Sequence, residues 1–296
     1  MGICIPDGRV VQQTLDECGA QLRRLNVILF GPERVVLRNN FQVRVREAIQ
    51  RRLFRTPFPV RHALYSMVFS EDDAVSRPSE RILDISLHAI QRARTIDLAE
   101  ISLRLRGRFS YPDSIINLWP GEHYRLLAAL VCVLRPKLVV EIGTAEGNSA
   151  LALAEELPPD GQVVTFDIVA WEQYPRSCLM AADLSTGRLR QIVADLGDSA
   201  VCNQYADLLR AADFVFIDAA KDGALERRIL ENLGAVCFRN NPILVLDDIR
   251  LWNMLKIWRE IQLPKIDLTS FGHWCGTGLC EWTGLPVFGT NGKGGV

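Results

Sequence analysis

The chain has 296 residues, 48% of them hydrophobic, with a formal net charge of −1. That length and apolar content can bury one large core plus an accessory region, and the near-neutral balance excludes a general affinity for nucleic acid. No apolar run reaches the roughly 18 residues of a membrane span, and residues 1–10 lack a signal-peptide apolar segment, so a cytoplasmic protein without a membrane span is expected.

In chain order, residues 10–25 read as an amphipathic helix, and residues 27–30 and 35–38, around a Gly-Pro-Glu turn, as a hairpin. Arg44, Arg46, Arg51, Arg52 and Arg55 follow an apparent helix at 41–54, and residues 1–119 hold 18 Arg against 13 acids. A solvated helix face is the preferred reading of those arginines, and a surface for an anionic substrate or membrane is the alternative. Arg77-Pro-Ser-Glu80 opens another helical region running to about Leu105. Tyr111-Pro112 and Trp119-Pro-Gly121 punctuate a boundary, and residues 122–134 form a helix. This organisation predicts a mainly helical accessory or lid region at 1–112, a second domain at 113–288 and a flexible glycine-rich tail at 289–296.

Residues 138–149, Leu-Val-Val-Glu141-Ile-Gly143-Thr144-Ala-Glu-Gly147-Asn-Ser149, are the most informative stretch. A short apolar strand ends near Glu141, turns through two glycines and enters an apolar helix at 150–157. Glycines there let backbone amides approach a ligand at a helix N-terminus. The spacing E-x-G-x-x-x-G lacks the second glycine of the dinucleotide fingerprint G-x-G-x-x-G, which disfavours a nucleotide-dependent oxidoreductase. Downstream the unit of strand, acid and helix recurs. Apolar runs end at Asp167, Asp195, Asp218 and the pair Asp247-Asp248, with helical stretches at 200–211 and 224–233 between them. Such runs read as buried parallel strands, so the fold class is α/β, a doubly wound, mostly parallel sheet of the Rossmann-like kind. Ligands in such sheets sit beyond the carboxyl ends of the strands, where all these acids fall. Helix N-capping is the alternative role for any one of them taken alone.

The turn at Glu141 resembles the first motif of class I S-adenosylmethionine (SAM) methyltransferases. Asp167 lies 26 residues after Glu141, about where a carboxylate meets the ribose hydroxyls of such a ligand. Asp195 is placed for the adenine edge. The SAM-contacting set expected from this resemblance is Glu141, Gly143, Thr144, Gly147, Ser149, Asp167, Asp195 and Asp218. Further on, Phe216-Ile-Asp218-Ala-Ala-Lys221-Asp222, and 29 residues after Asp218 the run Leu246-Asp247-Asp248-Ile-Arg-Leu-Trp252, resemble the metal-dependent O-methyltransferases of the catechol and caffeoyl-CoA type. The resemblance covers roughly 117–285 and implies Asp218, Asp247 and Asp248 as ligands of Mg²⁺ or Mn²⁺, with Lys221 as base. The chemistry agrees: hard cations take carboxylate oxygens and acidify a bound hydroxyl, whose proton a lysine of depressed pKa can remove. Lysine is also scarce here, 5 against 29 Arg. Two departures bear on substrate. Asp248 stands where the catechol type has Asn, and a double Asp is closer to sugar O-methyltransferases of antibiotic pathways. Those carry an acidic base two residues after the first Asp, where this chain has Ala220.

Near the end, Phe271-Gly-His273-Trp-Cys-Gly-Thr-Gly-Leu-Cys-Glu-Trp282 reads as a Gly-kinked hairpin closing the sheet, and His273 is a candidate second base. Trp252, Trp258 and Trp274 add aromatic area that is at least half core. His123 and Tyr124 are candidates for the methionine end of SAM, a plain helix turn being the other explanation. The eight cysteines include no C-x-x-C pair, and Cys275 and Cys280 lack neighbours at zinc spacing, so free thiols are expected. The sequence therefore predicts a SAM- and divalent-metal-dependent O-methyltransferase acting on a hydroxylated small molecule, with no nucleic-acid partner, and a homodimer. The alternatives are a sugar-hydroxyl methyltransferase and a SAM-binding protein catalysing another reaction.

Overall fold

A computed structural model of the chain describes residues 77–105, 122–251 and 253–289. The elements expected before residue 77, the punctuation at Tyr111 and Trp119, Trp252 and the tail past Gly289 lie outside the described residues.

Seven strands form one sheet: β1 (Leu138–Ile142), β2 (Gln162–Asp167), β3 (Leu189–Val193), β4 (Phe214–Ile217), β5 (Ile243–Asp247), β6 (Lys265–Asp267) and β7 (Thr277–Glu281). Their order is β3-β2-β1-β4-β5-β7-β6. The first five run parallel, and β7 is antiparallel between β5 and β6. The period of two in strand side chains sorts the apolar residues onto two faces. Val139, Val163, Phe214, Phe216 and Val245 join one core, while Val140, Val164, Phe166, Val215 and Leu246 join the other. Both faces are covered, which is why the strands read as continuous apolar runs rather than alternating ones.

The first face is covered by α1 (Glu80–Ala93), α2 (Ala99–Leu105), α3 (His123–Leu134) and α4 (Asn148–Glu155). In α1 the Ser79 hydroxyl caps by accepting from Ile82 N at 3.2 Å, and Ile82, Ile85, Ser86, Ala89 and Ala93 make one buried stripe. Arg81 ties α1 to the sheet through Glu281 at 2.9 Å, and Arg92 ties it to Glu156 at 3.1 Å. The helical region expected from Arg77 to about Leu105 is two helices. Residues 94–98 break it, and the Asp97 carboxylate accepts Ala99 N at 2.9 Å to start the second. α3 is apolar nearly all round and is buried accordingly. It stops where Arg135 adopts φ 48°, just before Pro136.

The second face carries the short helices α6 (Ser199–Gln204) and α7 (Ala206–Arg210), then α8 (Ala224–Gly234) and α9 (Met254–Glu260), with α5 (Ala181–Ser185) beside β3. The helix expected at 200–211 is interrupted at Tyr205, whose ring packs edge-on to Phe166 at 5.3 Å between centroids. The closing hairpin also differs from expectation. Only Thr277–Glu281 of the 271–282 run is strand, and its partner is the earlier segment Lys265–Asp267. Lys265 is held there because its buried ammonium donates to the carbonyls of Trp258 and Ile261, at 2.6 and 2.7 Å, capping the end of α9.

β1 neighbours β2 on one side and β4 on the other, so the chain reverses its winding direction at β1. Loops leaving the carboxyl ends of β1 and β4 therefore part, and a crevice opens between them.

Candidate functional site

The crevice is a cleft of about 280 Å³ lined by Gly143, Asp167, Ile168, Tyr174, Asp195 and Asp218 with apolar residues including Phe166, Leu196, Leu225 and Ile229. Its floor is the turn after β1. Gly143 has φ +107°, and its amide donates to Phe166 O at 2.8 Å. A Cβ there would lie 1.9 Å from the carbonyl oxygen of Asp218, so no side chain fits without parting β1 from β4. Gly143→Ala is expected to cost more than about 3 kcal/mol of stability, a value typical of strain plus steric clash. Urea unfolding checks this, and a cost under about 1 kcal/mol would show that the turn relaxes freely.

Asp167 ends β2 and organises the same turn. Its carboxylate accepts the amides of Ala145 at 2.8 Å and Val169 at 3.0 Å, and the Tyr174 hydroxyl at 3.4 Å. Asp195, exposed past β3, accepts Gly197 N at 2.8 Å. Of the residues expected to contact a cofactor, Gly143, Asp167, Asp195 and Asp218 line the cleft. Gly147, at φ +85°, starts α4 against Leu179. Glu141, Thr144 and Ser149 are buried, and Thr144 shares a hydroxyl hydrogen bond of 2.7 Å with Thr165. Tyr174 and the apolar Ile168 are cleft residues that sequence reasoning missed. Ile168 carried a signal, being an apolar residue directly after a strand-end acid.

Glu141 is fully buried and neither carboxyl oxygen has a regular hydrogen-bond partner. Burial pushes its pKa up to about 8, against the pull of the Ser149 and Thr165 hydroxyls. The folded protein thus holds this proton more tightly than the unfolded chain. Stability is full below the ordinary pKa of 4.5 and falls as pH rises toward 8. Glu141→Gln should flatten that decline, gaining roughly 3–5 kcal/mol on wild type between about pH 5 and about pH 8.5. Parallel stability curves for the two proteins in urea would show Glu141 to be ionised and solvated when folded.

Beside the cleft, the ends of β4 and β5 bring three carboxylates together. Asp218, Asp247 and Asp248 each offer an oxygen within 4.8 Å of the others. The Lys221 ammonium sits among them, 2.5 Å from Asp218, 3.3 Å from Asp248 and 3.6 Å from Asp247. Two residues here hold left-handed backbone that side chains ordinarily avoid, Lys221 at φ 63° and Asp248 at φ 55°. Glu226, buried on α8, fixes the first of these by accepting Lys221 N at 2.6 Å and Gly223 N at 2.8 Å. It too was missed, although a Glu three residues after a helix-starting glycine is a capping-box spacing.

The electrostatics follow from burial and crowding. Burial raises Asp218 to about 6, Lys221 opposing and the other two acids adding. Asp248 is raised by burial and by Asp247. For Asp247, burial is outweighed by His123, Lys221 and His273, which hold it well below the usual range. Burial likewise fails to neutralise Lys221, since three carboxylates keep its ammonium far above the ordinary lysine pKa. His273, from the β6–β7 connection, bonds Asp247 Oδ1 through Nε2 at 2.6 Å. His123, at the start of α3, lies on the same oxygen at 3.7 Å rather than in the cleft lining. Burial drops its pKa to about 4. Cys275 also reaches this cluster, near Asp248 and His273, a neighbourhood its sequence spacing did not reveal. Burial and Asp248 push its thiol up to about 12. The six cysteines among the described residues form no disulfide.

A 3-2-1-4-5-7-6 sheet, a glycine turn after β1 and acids at the ends of β1, β2, β4 and β5 define a class I methyltransferase domain. Residues 115–254 match the model of the O-methyltransferase family, a match over just under half of the chain, and the domain resembles SAM-dependent O-methyltransferases. Solved structures of similar fold include the O-methyltransferase TomG from Streptomyces achromogenes, involved in tomaymycin synthesis and in complex with SAM. It is 18% identical, covering 67% of this chain and 96% of that one, with a TM-score of 0.43. An O-methyltransferase from Bacillus cereus, in complex with S-adenosylhomocysteine (SAH), is 17% identical over 66% and 90% of the two chains, TM-score 0.38. The MycE methyltransferase of the mycinamycin pathway, in complex with Mg and SAH, is 22% identical over 52% and 37%, TM-score 0.36. No curated protein matches the chain. Among the described residues no helix is long and apolar enough to cross a membrane.

Proposed function

We propose that the domain methylates a hydroxyl of a small molecule with a divalent cation held by Asp218, Asp247 and Asp248. The observation that carries this reading is charge: three buried or half-buried carboxylates converge with one ammonium among them, an excess of negative charge. Their oxygens are hard donors, which suits Mg²⁺ or Mn²⁺. When bound, such a cation lowers the pKa of a hydroxyl placed on it, and SAM supplies the methyl group.

In the cleft, Asp167 has lone pairs left for ribose hydroxyls beyond the two amides it already accepts. Ile168, 69% exposed, offers an apolar face beside it for the adenine ring, and Asp195 a carboxylate for the adenine edge. Glu141, Thr144 and Ser149 support the turn from beneath. Lys221 can take a proton only as a neutral amine, and its present ion pairs favour the ammonium. A cation held by those carboxylates would draw them away from Lys221 and favour its neutral amine, the form in which it would act as the base. His273, the other candidate base, has both ring nitrogens engaged, Nε2 with Asp247 at 2.6 Å and Nδ1 with Cys275 N–H at 3.3 Å, which favours Lys221 for that role.

The test is methyl transfer from tritiated SAM to catechols, polyketides and sugar-bearing metabolites, with Mg²⁺ and after chelation. Transfer that is lost in EDTA and restored by Mg²⁺ or Mn²⁺ is expected. Undiminished transfer after chelation would end the metal reading and leave the three acids as Lys221 partners.

A further inference from the structure

A second donor set is built against the same strand end, and the proposed methyl transfer does not use it as such. His123 and His273 are 3% and 4% exposed and come from opposite ends of the domain sequence. Their rings meet edge to face at 4.4 Å between centroids, and both address Asp247 Oδ1. His123 Nδ1 is fully enclosed yet has no hydrogen-bond partner. Its 3.7 Å separation from Asp247 Oδ1 is too long for a hydrogen bond. It is close to the spacing of two ligands on one small cation with bonds of about 2.0–2.1 Å.

We propose that His123, Asp247 and His273 form a second cation site, selective for borderline divalent metals such as Zn²⁺ or Co²⁺ over Mg²⁺. One ligand atom from each lies within 4.8 Å of the others. Two imidazole nitrogens and one carboxylate are the donors that Zn²⁺ and Co²⁺ accept, whereas Mg²⁺ prefers an all-oxygen shell. Asp247 divides its oxygens between the two clusters, Oδ1 toward the histidines and Oδ2 toward Lys221 at 3.6 Å. A carboxylate used that way can bridge two neighbouring cations. The second ring nitrogen of His273 is already assigned, since Nδ1 accepts Cys275 N–H at 3.3 Å. Ligation through Nε2 would therefore move the ring proton to Nδ1 and give up the 3.3 Å Cys275 contact, so that His273 binds metal as a neutral imidazole with no net release of its proton.

The site shares Asp247 with the Mg²⁺ reading but not Asp218 or Asp248, and the experiment separates the two. The full-length chain, stripped of metal, is titrated with Co²⁺ in excess Mg²⁺ and followed by its visible ligand-field bands. One equivalent should bind, with bands kept in Asp218→Asn and affinity at least about tenfold weaker in His123→Gln, consistent with loss of one ligand. Because a buried histidine variant can fail to fold, the wild-type chain labelled with ¹⁵N-histidine is also titrated with Zn²⁺. The imidazole signals of His123 and His273 should move while that of His88, exposed on α1, stays. Bands lost in Asp218→Asn and kept in His123→Gln would assign the cation to the carboxylates and overturn the proposal. Unmoved imidazole signals would overturn it as well, leaving Mg²⁺-dependent methyl transfer untouched.

Discussion

Asp247→Asn is expected to abolish methyl transfer, by more than about 10³-fold, while the protein stays folded and binds SAM within about threefold of wild type. The change keeps the shape of the side chain and removes its charge. Asp247 belongs to both donor clusters and, among the described residues, is the only acid that reaches Lys221, His123 and His273 together. It does not line the donor cleft, so SAM affinity should survive. Lys221 keeps Asp218 at 2.5 Å and Asp248 at 3.3 Å, so no buried charge is stranded. Turnover against the acceptor found by the tritium screen, with calorimetry of SAM binding, reads both halves. Turnover within about tenfold of wild type would show Asp247 to be a structural partner of His273 and nothing more.

Lys221→Met should have the second largest effect, and on two separate measurements. Turnover should fall by about 10² to 10⁴-fold, the range for a lost general base. Stability in EDTA should fall by about 3–5 kcal/mol, because removing one member of a buried ion cluster leaves its partners uncompensated. Mg²⁺ or Mn²⁺ should then restore stability to the variant far more than it adds to wild type, since the cation replaces the missing positive charge. Thermal unfolding with and without Mg²⁺ reads the difference. Equal metal-induced shifts in the two proteins would mean that the ammonium and the cation do not share the same carboxylates.

The parallel core was largely legible. Strands buried on both faces must be apolar throughout, so β1, β2, β4 and β5 stand out as short runs, and their carboxyl ends are marked by the acids that follow. What stayed hidden depended on contacts distant in sequence. The edge strand β6 is three residues long and is defined by its pairing with β7, which no local pattern announces. The break at Tyr205 comes from a ring that docks on Phe166, a tertiary contact overriding helical periodicity. In the site, Asp218, Asp247 and Asp248 are legible because each sits at or next to a strand end, whereas Lys221, four residues past β4, is named only through the resemblance to metal-dependent O-methyltransferases. His123 could be singled out but not placed with His273, since 150 residues of chain separate them before the fold joins them. Nor does spacing reveal which cation-binding atoms are already engaged. The lysine read as a base has three acids within 3.6 Å of its amine, a setting that favours the charged form until a cation takes up those acids.

The contact between Gly143 and the Asp218 carbonyl has a consequence for how the two halves of the reaction are spaced. Asp218 gives its main chain to the turn under the donor cleft and its side chain to the carboxylate cluster. In the proposed reaction the distance between the methyl carbon and the receiving oxygen is then gauged by one peptide unit. Side chains around the rim can be exchanged to admit a larger or smaller acceptor while that gauge stays fixed. Changing how far the methyl must travel requires prising apart two adjacent strands.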